Sequence, residues 1–171
     1  MTTPGRPLRS EAFHTDPFAT YRVLRDEHPV YYLDKWDTFA LSRFSDIWDV
    51  LAVNDASQRA GVSLNAETGR IEAFREEKGT RSMLGTLGGS FSIARDLNNN
   101  GEVVGGSLTE GDENFHGFIY RDHRLHDLNE FLDPGTGWEL IQALGINNHG
   151  EIIGIGSCTG QDRIVLLRPR T

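Results

Sequence analysis

The feature that most constrains this chain is an internal repeat in its second half. Residues 96–105 (DLNNNGEVVG) match residues 145–154 (GINNHGEIIG) at an offset of 49 residues. The Asn-x-Gly sequence tolerates the positive φ of a tight turn, and the β-branched pair after Glu favours a strand. Predicted strands follow at 116–121 and 163–168. A period of roughly 40 to 50 residues made of short strands predicts a propeller-like or array-type β-repeat.

Composition changes sharply near Ser82. Fifteen of the 19 glycines lie after it, while both lysines lie before it. Residues 1–82 carry a net charge of -2 and residues 83–171 a net charge of -6. We therefore predict three segments: residues 1–53, a linker over 54–82, and a β-repeat segment of about two repeats over 83–171. The charged stretch 70–78 is the one part of the linker for which a short solvated helix is an alternative.

The first segment has the pattern of two helices around a hairpin. Asp16 and Pro17 are typical of a helix start, and Pro29 ends that helix. Residues 30–33 and 38–41 predict two strands around a turn. Ser45 can cap a second helix that extends to Leu51. The predicted fold class is therefore α+β, with an N-terminal helix-hairpin-helix followed by an all-β propeller-like repeat segment.

Charge and composition argue against several partners. The net charge of -8 disfavours binding to nucleic acid or to anionic membrane, because phosphate binding needs a basic patch. No run approaches the roughly 20 apolar residues of a membrane span. The single cysteine, Cys158, excludes an intramolecular disulfide, and no secretory apolar region follows the N-terminus. These observations predict a cytoplasmic protein.

Residues 14–53 resemble the N-terminus of bacterial cytochrome P-450 enzymes, the haem-thiolate monooxygenases. The resemblance rests on residues 16–18 (DPF), 29–31 (PVY) and 39–47 (FALSRFSDI), in matching order and spacing. It implies a first helix, a first hairpin and a second helix that form the substrate-access edge of such an enzyme. This edge contains no haem ligand.

The second half resembles the HAF-type repeat proteins of bacteria. The resemblance covers about residues 83–170 and rests on residues 84–90 (LGTLGGS), 97–105, 116–119 (HGFI) and 127–128 (DL). It implies a propeller-like repeat fold, an extracellular location and no defined function. This chain departs from the family in lacking a signal peptide and in having about two repeats.

Cys158 is the candidate haem ligand. The resemblance to the monooxygenases implies a loop of form Phe-x-x-Gly-x-x-x-Cys-x-Gly, and residues 154–160 (GIGSCTG) match its second part, with Glu151 at the Phe position. The family's Glu-x-x-Arg pair also has a formal match in Glu72 and Arg75. The repeat explains the glycines without haem, so we expect a loop cysteine, with haem binding as the alternative.

Two clusters of side chains are candidate metal sites. The spacing of Asp96, Asn98 and Asn100 before a glycine is similar to the start of a calcium loop. The twelfth position of that loop is Ser107, and the second copy begins with a glycine, so a turn is favoured. The strand at 116–121, a turn at 122–123 and a return strand at 124–128 predict a hairpin. It carries the other candidate cluster, formed by His116, His123 and His126. For His116 we favour a hydrogen bond between strands.

The sequence therefore predicts a non-enzymatic β-repeat module, structural or interacting, with no cofactor and an undefined ligand. Exposed strand edges predict self-association or a protein partner. The alternative is a truncated or degenerate relative of the haem-thiolate monooxygenases that binds haem or an apolar ligand. A recombined reading frame without a selected function is the third possibility.

Overall fold

The computed structural model describes residues 30–33, 38–41 and 50–169 of the 171-residue chain. The chain divides into two compact bodies, residues 1–48 and 49–171. In the first body, strands β1 (Val30–Leu33) and β2 (Thr38–Leu41) pair antiparallel, which confirms the predicted hairpin. The helix predicted over residues 16–28 lies outside the described residues.

The second body is built from short strands. Their bounds are β3 (Val50–Val53), β4 (Arg59–Leu64), β5 (Ile71–Glu77), β6 (Thr80–Gly85), β7 (Gly88–Leu97), β8 (Val103–Thr109), β9 (Phe115–Arg121), β10 (Arg124–Asp127), β11 (Trp138–Ile146), β12 (Ile152–Cys158) and β13 (Gln161–Leu167). One sheet has the order β10-β9-β8-β7-β5-β4-β3 with β6 paired to β5, and a second has the order β11-β12-β13. Short 3₁₀ turns lie at Glu110–Asp112, Leu128–Phe131 and Pro134–Thr136.

The predicted α+β class is wrong for the described part of the chain, which contains strands and short 3₁₀ turns but no α-helix. Val50 and Leu51, expected at the end of a second helix, open strand β3 instead. The pairing of β3 with β4 overrides the local helical spacing, as tertiary pairing commonly does. No helix in the described part of the chain is long and apolar enough to cross a membrane.

The linker predicted over residues 54–82 is also wrong, because that range contains β4, β5 and most of β6. Its charged side chains pair across neighbouring strands. Glu76 lies 3.4 Å from Arg59 and 3.3 Å from Arg81, and the guanidinium of Arg81 covers the ring of Phe74 at 3.9 Å. Arg59, Glu76 and Arg81 therefore form an ion-pair cluster across three strands, and Phe74 is fully buried beneath Arg81.

Three five-residue turns share one hydrogen-bond pattern. They begin at Asn54, Asn98 and Asn147, and in each the first residue bonds the fifth through its main chain. The asparagine side-chain oxygen accepts hydrogen bonds from the N–H groups of the third and fifth residues. The fourth residue has a positive φ in every turn: Ser57 at 59°, Gly101 at 77° and Gly150 at 76°. The described residues thus contain three copies of the turn where the sequence predicts two.

Each turn is preceded by the same irregularity of the strand. The register shifts between Val50 and Ala52 in β3, and it shifts at the corresponding positions of β7 and β11. A glycine lies opposite the shift each time, seven residues after the asparagine: Gly61, Gly105 and Gly154. A Cβ on Gly105 would lie 2.0 Å from the carbonyl oxygen of Ile93, so only glycine fits there.

Residues 50–169 therefore contain three consecutive repeats, offset by 44 and then 49 residues. We call them the first repeat (β3–β6), the middle repeat (β7–β10) and the last repeat (β11–β13). Strand β7 lies against β4 and β5, and β11 lies in the same way against β8 and β9. The middle and last repeats thus each begin with a strand that packs on the repeat before it.

The middle repeat is buried on both faces. Val103 and Phe118 join an apolar cluster with residues of the first repeat, including Ala60. Their neighbours Val104 and Ile119 point to the opposite face and join a second cluster with the last repeat. This follows from the alternation of side chains along a strand, because adjacent residues face opposite sides of the sheet.

An asparagine ladder connects the three turns. The side-chain nitrogen of Asn54 donates to the carbonyl oxygen of Asn98 at 2.8 Å, and that of Asn98 donates to the carbonyl oxygen of Asn147 at 3.1 Å. Beside it, the N–H of Asn99 donates to Asn148 Oδ1 at 2.9 Å. The ladder fixes the position of each repeat along its neighbour.

We predict that Asn98→Ala destabilises the protein more than Asn147→Ala does. Both side chains make the same bonds within their own turns, but only Asn98 is shown to donate to another repeat, and it is 3% exposed. We expect losses of about 2–4 kcal/mol and about 1–2 kcal/mol respectively, measured by urea unfolding. Equal losses would show that the ladder contributes nothing to stability.

Candidate functional site

The last repeat presents an apolar surface to solvent. Ile153, Ile155, Ile164 and Leu166 lie on one face of β12–β13, as the directly opposed pairs Ile153–Leu166 and Ile155–Ile164. Ile153 is 46% exposed, Ile164 65% and Leu166 55%. We call these four residues the open face. The opposite side of the same strands packs into the core through Ile152.

The same positions are covered in the middle repeat. Val104 corresponds to Ile153 and Ile119 to Leu166, and they are only 0% and 4% exposed. Strand β11 covers them with Leu140, Ala143 and Ile146. The open face is therefore the exposed counterpart of an interface that is buried elsewhere in this chain. Exposed apolar faces of this kind commonly mark protein interaction sites.

The open face and the covered face of the middle repeat differ in the number of side chains that they carry. In the middle repeat the positions of Ile155 and Ile164 are occupied by Gly106 and Gly117. A Cβ on Gly117 would lie 2.8 Å from Leu140 Cδ2, because β11 approaches the glycine closely. The open face carries two isoleucines where the covered face has no side chains, so it is the more apolar of the two.

We predict that Gly117→Ala destabilises the protein by about 1–3 kcal/mol, because the new methyl group overlaps Leu140. Ile164→Ala, at the corresponding position of the last repeat, should cost less than about 0.5 kcal/mol because its side chain is exposed. Thermal or urea unfolding of both variants tests this. A larger loss for Ile164→Ala would mean that the open face is covered within the isolated chain.

A polar seam holds the last repeat against the middle one. His116 contacts Asp127 through Nδ1 at 2.6 Å and Glu139 of β11 through Nε2 at 3.2 Å. The Asn129 side chain accepts from the N–H of Leu140 at 2.6 Å and donates to its carbonyl oxygen at 3.0 Å. The prediction that His116 hydrogen-bonds between strands is thus confirmed.

The three histidines of the predicted hairpin do not form a metal site. His123 lies in the turn after β9 with a φ of 61°, and the His126 ring lies 6.1 Å from the ring of Phe131. In the part of the chain that the structure describes, no group of three or more His, Cys, Asp or Glu side chains could hold a metal ion.

The calcium-like residues form the middle turn, as expected. Asp96 Oδ2 accepts from the N–H of Ile146 at 2.8 Å, which adds another bond between repeats. The Asn98 oxygen accepts two hydrogen bonds within its turn, and Asn100 donates to the carbonyl oxygen of Asn148 at 3.3 Å. These groups are used to join the repeats rather than to converge on one point.

Cys158 lies at the end of β12 rather than in a loop of the haem-thiolate form. It is half-buried, pairs with Trp138 across the sheet, and its Sγ is 3.9 Å from the carbonyl oxygen of Thr136. Gly154 and Gly156 of the matched motif are strand residues, and a Cβ on Gly154 would lie 2.5 Å from a carbonyl oxygen of β11. Close strand packing therefore explains the glycine.

Glu72 and Arg75 lie on β5, where residues three apart point to opposite faces of the sheet. Glu72 accepts hydrogen bonds from Asn65 at 2.9 Å and Thr68 at 2.8 Å. Arg75 donates to the carbonyl oxygen of Gly101 at 3.0 Å and thereby joins the first repeat to the middle turn. The structure gives the two residues separate roles.

Glu151 is the fifth residue of the last turn, and the pKa of its carboxyl is shifted. The hydrogen bond from Asn147 and the nearby Arg168 hold the pKa of its carboxyl below the ordinary value of 4.5. Its counterpart in the first turn is the neutral Gln58, whose oxygen accepts from Asn54 at 2.6 Å. An amide can therefore fill this position without loss of the turn.

We predict that Glu151→Gln reduces the loss of stability in acid. A carboxyl whose pKa is lowered by folding contributes stability above its unfolded pKa, and this contribution disappears as pH falls through the lower folded pKa. The variant should therefore show a shallower fall of Tm between about pH 5 and pH 3. Glu67→Gln is the charge-matched control. A Glu151→Gln profile parallel to that of the wild type would contradict the assignment.

Comparison with known proteins supports one of the two resemblances in part. The chain is 39% identical over 64 residues, 37% of its length, to proteins provisionally named cytochrome P450 123 from Mycobacterium bovis and Mycobacterium tuberculosis. The match spans 16% of the length of these relatives. No protein-family model matches the chain. No solved structure matches it.

Proposed function

We propose that this chain is a non-enzymatic β-repeat module, and that its open face binds a protein surface. The observation that carries the proposal is the equivalence of Ile153 and Leu166 to Val104 and Ile119, which the next repeat covers. The HAF-type resemblance of residues 83–170 supports a repeat role of undefined ligand. The expected cytoplasmic location stays a prediction.

The shape of the open face favours a protein over a small molecule. Its four side chains form two cross-strand pairs on the surface of a sheet, where apolar pairs pack well against another strand. A cavity next to Trp138 and Val165 has a volume of about 220 Å³. This is below the roughly 300–1,000 Å³ of most ligand pockets. A cavity of about 320 Å³ beside Arg75 and Tyr120 is within that range, but no residue of the open face lines it.

The second candidate function is that of a truncated haem-thiolate monooxygenase relative. The identity of 39% over 64 residues to cytochrome P450 proteins supports it. Haem binding would require the Cys158 thiolate as the iron ligand, with main-chain N–H groups around the sulfur. Cys158 instead lies beside the tight turn at Thr159 and Gly160, which joins β12 to β13.

A haem titration separates the two candidates. Purified protein is mixed with haem, reduced and exposed to carbon monoxide, with Cys158→Ala as the matched variant. We expect the same spectrum for both proteins, because the sulfur takes no part. A red-shifted Soret band in the wild type that is lost in Cys158→Ala would overturn the non-enzymatic module and support the second candidate.

A further inference from the structure

We propose that the open face binds the first repeat of a second copy of this chain, in a head-to-tail arrangement. This inference rests on the proposed function and names the partner of that surface. The interface it predicts is of the kind that already joins the first repeat to the middle one, and the middle one to the last. The occupant is therefore identified from an interface that the chain itself forms twice.

The first repeat carries the matching surface. The last residue before each turn is Val53, Leu97 or Ile146. Leu97 is 4% exposed and Ile146 8%, because each is inserted into the repeat before it, whereas Val53 is 67% exposed. Strand β3 thus presents an apolar side chain at the position where β7 and β11 bury theirs.

The asparagine ladder supplies a second complementary pair of groups. Within the chain Asn54 and Asn98 each donate to the main-chain oxygen of the next turn. Asn147 is the last asparagine of the ladder, and its side-chain nitrogen donates to Glu151 within its own turn. Asn54 offers its carbonyl oxygen at the other end. A head-to-tail pair brings the Asn147 side chain to Asn54 of the second copy and extends the ladder by one step.

A charged residue at the start of the ladder fits the same arrangement. In the middle and last turns the second residue accepts from the N–H of the second residue in the turn before it: Asn99 from Asp55 at 3.1 Å, and Asn148 from Asn99 at 2.9 Å. By continuation, the N–H of Asn148 meets the carboxylate of Asp55 in the second copy. A hydrogen bond to a charged acceptor is stronger than one to an amide.

The open face needs a cover of this type. A repeat that faces solvent normally carries polar residues on its outer side. The last repeat carries Ile153, Ile164 and Leu166 there instead. Because Ile155 and Ile164 fill the space of two glycines, the incoming strand lies farther out than β11 does in the middle repeat. We therefore expect reversible association, at roughly 10–100 µM protein, rather than a permanent dimer.

Sedimentation velocity of two complementary variants tests the arrangement. Val53→Lys removes the apolar side chain of the first repeat and leaves the open face intact, while Leu166→Lys does the reverse. Both residues are exposed, so both variants should fold, which circular dichroism checks. Leu64→Lys, at a residue that is 66% exposed and lies outside both surfaces, is the control.

We expect the average sedimentation coefficient of the wild type and of Leu64→Lys to rise with protein concentration. Val53→Lys and Leu166→Lys should each stay monomeric alone. An equimolar mixture of Val53→Lys and Leu166→Lys should form a heterodimer and nothing larger, because one intact surface remains on each. A mixture that stays monomeric, a wild type that never associates, or an association that Val53→Lys leaves unchanged would overturn the inference. A symmetric dimer lost only in Leu166→Lys would overturn head-to-tail pairing and still support the open face as a binding site. The haem spectrum, in contrast, tests the proposed function.

Discussion

The interaction on which the rest of the second body depends is the side-chain cap of its asparagine turns. Each asparagine accepts hydrogen bonds from two main-chain N–H groups of its turn, and Asn54 and Asn98 also donate to the following turn. Strands β5 and β7 share a single paired position, so strand pairing alone would leave the first two repeats loosely aligned. The ladder supplies the alignment, and the apolar faces then meet in register.

The middle and last turns could be predicted because their sequences share one pattern. The first turn could not be predicted because its sequence departs from that pattern. Two turns have Asn, Gly and Glu at fixed positions, which identify a tight turn by themselves. In the first turn Ser57 takes the left-handed position, with a φ of 59°, and Gln58 replaces the glutamate. The remaining signal was the glycine seven residues after the asparagine, Gly61. The pairing of Arg59 with Glu76 joins residues 17 positions apart, so the charges looked solvated.

Long-range packing also decides which apolar residues form a site. Ile153 and Val104 occupy the same place in their repeats, and both sequences predict a strand. Val104 is buried because the last repeat packs on it, whereas Ile153 is 46% exposed because no described repeat covers it. The haem-like spacing around Cys158 is a property of the sequence alone, and the sheet accounts for its glycines without haem. The sheet uses Gly154 for close approach of β11.

The three repeats differ in the face that each turns toward the following repeat or, in the last repeat, toward solvent. At the position of Leu166 the first repeat has Arg75, which bonds to Gly101 of the next turn, and the middle repeat has Ile119, which is buried. At this position the residue thus changes from a charged arginine to a buried isoleucine and then to an exposed leucine. Burial of apolar area stabilises a contact in proportion to the area removed from water. The face that exposes the most apolar area therefore gains most from being covered, and this gain is what a partner of the open face would obtain.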